Sequence, residues 1–290
     1  MARAVHAVAD WSDAELDALL RRAGALADGA PPAAIEATVG VCMFQTSLRT
    51  RVGFEAAAVR LGMRFVEAVE RRGSAESMPE SIDDTIRVMS GYCDALVVRS
   101  PRASADLARS ARAGTAWVNA GDAVEHPTQS LIDLLAIERL AGPLAGLRVA
   151  VVGDLRMRAA RSLLAAFDRR PPAALAVVTA PELTDGLVPD GAAVFESIAE
   201  VPEAEPDVVY VVGIPHQAVP EAVRTRLRLD RDTLGRLSAD TIVLSPLPLI
   251  DEVASTARDD SRIRWFEQSD LGLWVRAAVL EHVLGVTSAG

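Results

Sequence analysis

The sequence predicts an α/β protein made of two doubly wound parallel-sheet domains. Short apolar runs alternate with helical patterns along the chain, as strand–helix–strand units of a parallel sheet do. The alternation stops at the turn Ala141-Gly142-Pro143 and restarts at Leu147. The length of 290 residues, 50% of them hydrophobic, suits about two domains with sizeable cores.

Taken in order, Ser12 opens the first helix as N-cap, with Glu15 at the reciprocal capping-box position. Leu16, Leu19, Leu20 and Ala23 follow at helical spacing, and the Gly/Pro-rich stretch 29–32 ends the helix. Apolar runs at 37–43, 64–69, 95–98 and 116–119 read as buried strands, with helices over 48–61, 81–90 and 103–113 between them. A helix over 128–140 closes the first set. The second set starts at 147–154 and continues with strands at 174–179, 208–212 and 241–244. A last helix runs from about 270 to 284. The expected division is 1–140 and 141–269, with 270–290 completing the first domain.

Composition narrows the function classes. The net charge of −10 and pI near 5.0 argue against general nucleic-acid binding, which relies on clustered basic side chains. All 30 basic residues are Arg, so no step can use a lysine amine. Cys42 and Cys93 sit in apolar runs and read as buried core residues, with neither disulfide framework nor metal-ligand spacing. The N-terminal stretch shows no long apolar run of a secretory signal, and no segment reaches the roughly 18 apolar residues of a membrane span. A cytoplasmic location is the expectation.

The segment Ser47-Leu48-Arg49-Thr50-Arg51 lies where a strand hands over to a helix. Ser47 is a natural cap, and the free N–H groups of a first helical turn form an anion site. Arg49 adds a planar donor fork suited to phosphate, and Thr50 a hydroxyl. Alone, the string reads better as an ordinary capped helix with a surface Arg pair, because short Ser/Thr/Arg strings are common. Arg99 at the carboxyl end of the strand 95–98, and His126-Pro127-Thr128-Gln129 after the strand 116–119, shift the balance. Ligands of open α/β sheets bind outside the carboxyl ends of strands. Pro127 suits a first helical position, which places His126 and Gln129 together at a helix start.

In this order the segments resemble the aspartate/ornithine carbamoyltransferase family, closer to its aspartate branch. Ser47-Leu48-Arg49-Thr50-Arg51 resembles the family's Ser-Thr-Arg-Thr-Arg signature. The stretch 84–92 leading to Arg99, the Asn119-Ala120-Gly121-Asp122 and His126-Pro127-Thr128-Gln129 pair, the Ser245-Pro246-Leu247-Pro248 loop and the helix 267–280 are similar as well. The resemblance covers nearly the whole chain and is most specific in the first domain. It implies a terminal helix packing back on the first domain, and carbamoyl transfer from carbamoyl phosphate to an amine.

By resemblance, Ser47, Arg49, Thr50 and the backbone at Leu48 hold the phosphate. Arg49, Thr50, Arg99 and His126 carry the chemistry, with Thr50, Arg99 and His126 polarising the carbonyl oxygen as an oxyanion hole does. Gln129 and the backbone at Pro246 and Leu247 hold the carbamoyl amino group. Arg158, Leu247 and Pro248 meet the second substrate, with Arg156 or Arg161 as alternatives to Arg158. No metal or organic cofactor is implied. A homotrimer is, each site being completed by a neighbour's loop, here 71–80.

The chain also departs from the family pattern. Leu48 replaces a threonine, Ser245 a histidine and Leu249 a common arginine. Met78 falls where the aspartate branch reaches over with a lysine, with Arg71 and Arg72 as candidate substitutes. Gly213 and Pro215 stand where that branch presents an arginine and a glutamine. His216 and Gln217, just beyond, read as exposed loop residues. Losing a charged partner from a carboxylate site costs a few kcal/mol, or about two orders of magnitude in affinity. The acceptor amine is therefore expected to be other than ordinary aspartate or ornithine. A different reaction on the same scaffold and a non-catalytic metabolite-binding paralogue are the alternatives. A dinucleotide-binding reading of Gly153 fails because the G-x-G-x-x-G spacing is absent.

Overall fold

The computed structural model of the protein describes residues 3–69 and 80–286. The chain forms two compact units, Met1–Leu131 with Leu271–Gly290, and Ile132–Asp270.

The first unit is built on a five-stranded sheet of β1 (Ala4–Val5), β2 (Thr38–Met43), β3 (Arg64–Val69), β4 (Ala95–Arg99) and β5 (Ala116–Asn119). The spatial order is β1-β5-β4-β2-β3, and every pairing is parallel. Helices α1 (Asp13–Ala27), α2 (Leu48–Arg60), α3 (Ile82–Met89) and α4 (Ser104–Ala108) flank it, with α5 (Pro127–Leu140) following β5. The central strands are apolar on both faces because helices cover both: Val39, Val41 and Cys42 on β2 and Leu96 and Val97 on β4 are fully buried. Both cysteines are buried and free. The expected capping box opens α1, with Glu15 N–H donating to Ser12 Oγ (3.3 Å) and Ser12 N–H to Glu15 Oε2 (2.9 Å).

The structure departs from these expectations at several elements. The strand β1 was too short to give a periodic signal; it joins the sheet through Ala4 beside Trp117. The helix expected over 103–113 stops at Ala108. Beyond it, Ser110 Oγ donates to Asp83 and Arg112 N–H to Ser90 Oγ, so tertiary bonds replace helical ones. The last helix begins earlier than expected, at Trp265.

The second unit carries β6 (Arg148–Val152), β7 (Ala174–Val178), β8 (Ala193–Phe195), β9 (Val208–Val211) and β10 (Ile242–Leu244), again all parallel, in the order β10-β9-β6-β7-β8. Helices α6 (Arg158–Arg169), α7 (Glu221–Leu227) and α8 (Arg231–Arg236) belong to it. Its core gathers Val152, Val178, Leu183, Val211, Leu234 and Trp265.

The last helix, α9 (Trp265–Val283), begins in the second unit and ends in the first. Its C-terminal half packs into the first unit. Glu281 receives Arg22 Nε at 2.7 Å and Ala33 N–H at 3.0 Å, and Arg276 lies over the Phe54 ring. No helix of the described residues is long and apolar enough to cross a membrane.

Candidate active site

Each sheet has one switch point, where neighbouring strands send their connections in opposite directions. In the first unit it lies between β2 and β4, whose ends Met43 and Arg99 are in register. Phe44 N–H donates to Arg99 O at 2.9 Å, tying the two ends together. Crevices at such points are the ligand sites of open α/β sheets.

Ser47 caps α2 as expected. Its Oγ accepts Thr50 N–H at 3.4 Å and donates to Thr50 Oγ1 at 2.9 Å. Thr50 is buried, and its Oγ1 lies 3.5 Å from His126 Nε2. The other ring nitrogen, His126 Nδ1, meets Thr128 Oγ1 at 3.3 Å. A hydroxyl at each nitrogen fixes the ring plane. Arg99 Nη1 donates to Ala120 O at 3.1 Å. Gly121, with φ of +111°, lies against both groups: a Cβ there would be 2.5 Å from Arg99 Nη1 and 3.2 Å from His126 Cδ2. Only a glycine gives the backbone that turn and leaves that space. Asn119 Oδ1 holds Gly121 N–H at 2.9 Å, and Asp122 accepts Val124 and Glu125 N–H, which shapes the loop ahead of His126. Pro127 starts α5, and Gln129 N–H donates to His126 O at 2.9 Å.

Ser47, Thr50, Arg99 and His126 are thus joined around one strand-end, with Gln129 in the turn that follows. Arg49 extends from the first turn of α2, and partial burial pulls its guanidinium below the ordinary arginine value. Leu48 stands 68% exposed, so its side chain faces solvent while its backbone stays in the capped turn. Of the segment 71–80, all but Glu80 lies outside the described residues, as do Arg71, Arg72 and Met78.

In the second unit the switch point lies between β6 and β9. Arg156 forms a two-pronged pair with Asp154 at 2.9 Å, and Arg161 Nε donates to Arg156 O at 2.9 Å. Arg158 starts α6, half-buried. After β9, Gly213 faces Pro248 O, which a Cβ would meet at 3.5 Å. Pro215, His216 and Gln217 are exposed. Beneath this loop, Glu252 accepts Ile214 N–H at 2.7 Å, and the buried Arg224 donates to Ile214 O and Asp251. Pro246 and Leu247 are half-buried and Pro248 exposed; the Leu247–Pro248 peptide is cis.

A buried network supports the 245–248 loop. Gln268 Oε1 accepts Ser245 N–H at 2.8 Å, and its Nε2 donates to Asp133 Oδ1 at 2.6 Å. Asp133 Oδ2 accepts the Tyr210 hydroxyl at 2.7 Å. Ser245 Oγ in turn accepts Leu247 N–H at 3.1 Å. Sequence reasoning missed Asp133, Tyr210 and Gln268. Asp133 did leave a signal, being a lone carboxylate in the apolar run 131–137.

Parallel sheets with cationic and hydroxyl groups gathered at a switch point are the marks of an anion-binding α/β protein. Residues 3–139 match the family model described as aspartate/ornithine carbamoyltransferase, carbamoyl-P binding domain. The aspartate carbamoyltransferase catalytic subunit of Archaeoglobus fulgidus is 36% identical over 261 residues, 85% of each chain. The catalytic subunit of M. jannaschii aspartate transcarbamoylase superposes with a TM-score of 0.84 at 27% identity, covering 100% of both chains. Aspartate transcarbamoylase from Trypanosoma cruzi, solved with carbamoyl phosphate and aspartate, gives 0.81 at 28% identity over 96% of this chain and 94% of that one. The chain belongs to the aspartate/ornithine carbamoyltransferase family, and it is a carbamoyltransferase.

Proposed function

We propose that the protein transfers the carbamoyl group of carbamoyl phosphate to the amine of an amino-acid-like acceptor. The observation that carries this reading is the joining of Thr50 and His126 at 3.5 Å beside Arg99, above the capped N-terminus of α2. Ser47, Arg49, Thr50 and the backbone at Leu48 hold the phosphate. Thr50, Arg99 and His126 stabilise the charge that grows on the carbonyl oxygen. Gln129 and the backbone at Pro246 and Leu247 hold the carbamoyl amino group, while Arg158, Leu247 and Pro248 meet the acceptor. The amine nitrogen bonds to the carbonyl carbon, the carbon–oxygen bond to phosphate breaks, and the proton shed by nitrogen leaves with phosphate. No cofactor enters the reaction. Residues 1–140 with 270–290 form the carbamoyl-phosphate domain, and 141–269 the acceptor domain.

Aspartate, for which the relatives are named, is the first acceptor to test. A second reading, an acceptor lacking one of aspartate's carboxylates, is favoured by the 213–215 loop. Gly213 and Pro215 offer no side-chain donor, and Arg224 beneath them is committed to Ile214 O and Asp251. A cytoplasmic homotrimer with sites completed by the 71–80 segment is part of the proposal. Exposed apolar side chains on α2 and β3, among them Leu48, Val52, Phe65 and Val66, support such an assembly.

The test is phosphate release from carbamoyl phosphate with aspartate and then a panel of other amines, using Arg49→Ala as control. Arg49-dependent release with aspartate upholds the first reading; release with another amine alone upholds the second. Silence across the panel overturns both.

A further inference from the structure

Among the described residues Arg276 is a buried cation with no anionic partner. It projects from α9 into the first unit, is 5% exposed and forms no ion pair. Its Nε is fully buried and has no acceptor. The face of Phe54, 5.6 Å from the guanidinium carbon, is a modest compensation for removing a charge from water.

Gly53 shows why the guanidinium lies where it does. A Cβ on that residue would stand 2.7 Å from Arg276 Nη1 and 2.8 Å from Cζ. A glycine inside a helix is disfavoured relative to alanine, and here it opens the space that the guanidinium fills. Gly53 is four residues after Arg49, so both lie on one face of α2. The charge that acts on Arg276 is accordingly another cation, Arg49. Burial first, and Arg49 second, bring the Arg276 guanidinium down to about 10, which leaves it charged at neutral pH. Two guanidinium groups, one from α2 and one from α9, thus lie along one face of α2, and an anion at the N-terminal end of that helix would attract both.

We propose that Arg276 is the second cation of the phosphate site, a positioning residue that strengthens the hold on a phosphate dianion by acting through Arg49 and through space. The inference rests on the proposed phosphate site around Ser47, Arg49 and Thr50. With the site empty, Arg49 and Arg276 repel each other. A bound phosphate turns that repulsion into shared attraction. Replacing Arg276 by an apolar residue of similar length therefore relieves the empty protein and weakens the ligand. A merely structural arginine would behave differently, since its loss would lower stability and leave affinity alone.

The experiment is calorimetric titration of the full-length protein with inorganic phosphate, for the unaltered chain and for Arg49→Ala, Arg276→Met, Arg276→Gln and Arg276→Lys. Thermal unfolding without phosphate is measured on each. Arg49→Ala is expected to abolish measurable binding. Arg276→Met and Arg276→Gln are expected to raise Kd about tenfold or more and to flatten its salt dependence. Arg276→Lys falls between, and the Arg276→Met melting temperature without phosphate is unchanged or higher. If Arg276→Met does not fold, Arg276→Gln against Arg276→Lys decides the same question. Unchanged affinity on loss of the Arg276 charge, with binding still dependent on Arg49, overturns this inference and leaves the phosphate site standing. Phosphate binding that ignores Arg49 overturns both.

Discussion

Replacing Glu55 by glutamine should stabilise the protein at pH 8 and leave its stability at pH 4 almost unchanged. Glu55 lies one turn beyond Arg51 on α2, 4.0 Å from its guanidinium, while Arg51 forms its closer pair with Glu67 of β3 at 2.8 Å. Glu55 Oε1 is buried and without a hydrogen-bond partner. Burial first, and Glu67 second, raise its carboxyl from the ordinary 4.5 to about 7, whereas Glu67 is held below the ordinary value by Glu55 and Arg51. A carboxyl whose folded pKa is raised contributes stability below its unfolded pKa and loses it as pH rises through the folded one. The interval from 4.5 to about 7 corresponds to about 3 kcal/mol at 1.36 kcal/mol per pH unit. The opposite shift of Glu67 offsets part of this, so the net penalty at pH 8 is smaller. Glu55→Gln removes the titration while keeping the shape. Its melting temperature should exceed that of the unaltered chain by up to about 5 °C at pH 8 and match it within about 1 °C at pH 4. Melting curves across that range, followed by circular dichroism, give the comparison. A gain equal at both pH values, or larger in acid, would refute the reasoning.

Three further outcomes are expected. Tyr210→Phe deprives Asp133 of a buried donor and should cost about 1–3 kcal/mol in urea unfolding; a neutral result would mean that another donor replaces the hydroxyl. The Cys42 thiol is pushed up to about 12 by burial, and that of Cys93 is raised for the same reason. Native protein should therefore give almost no reaction with a thiol-disulfide reagent at pH 8, and both thiols should react once it is unfolded. Gly121→Ala places a Cβ 2.5 Å from Arg99 Nη1 at a φ of +111°. It should reduce phosphate release from carbamoyl phosphate more than about tenfold by shifting the Arg99 guanidinium.

The parts of the fold legible in the sequence were those governed by local chemistry. Strands buried on both faces wrote themselves as apolar runs, Ser12 and Ser47 marked helix starts, and Pro127 opened α5. The paired residues Ala4 and Val5 left no pattern, because their place in the sheet depends on Trp117 and Val118 far along the chain. The candidate site divided in the same way. Ser47, Arg49, Thr50, Arg99 and His126 each sit at a strand-end or helix start, where their residue type already points to an anion. Gln268 and Asp133 are 135 residues apart, and no spacing could pair them. Arg276 left the same kind of signal as Asp133, a lone charge in the apolar run 271–280, but its place against Gly53 and Phe54 depends on residues far along the chain.

The arginines carry a further argument about specificity. With a net charge of −10, the chain has carboxylates to spare, and in the second unit they reach the arginines near the switch point. Arg156 is held by Asp154, while Arg224 and Arg228 share Asp251. At the start of α2 the pattern reverses. Neither Arg49 nor Arg276 has an acidic partner among the described residues, although Glu55 lies on the same helix as Arg49, 4.0 Å from Arg51. Uncompensated cations in a low-dielectric setting favour an anion of two charges over one, because each guanidinium contributes its own attraction. The first unit is therefore charged for a dianion before any ligand arrives. On the proposed reading, the second unit selects its acceptor mainly through loop shape and backbone groups. An acceptor series that varies carboxylate number at constant size would expose that asymmetry directly. Phosphate affinity should follow the charge on the anion steeply, and acceptor turnover should follow the shape of the amine more than its charge.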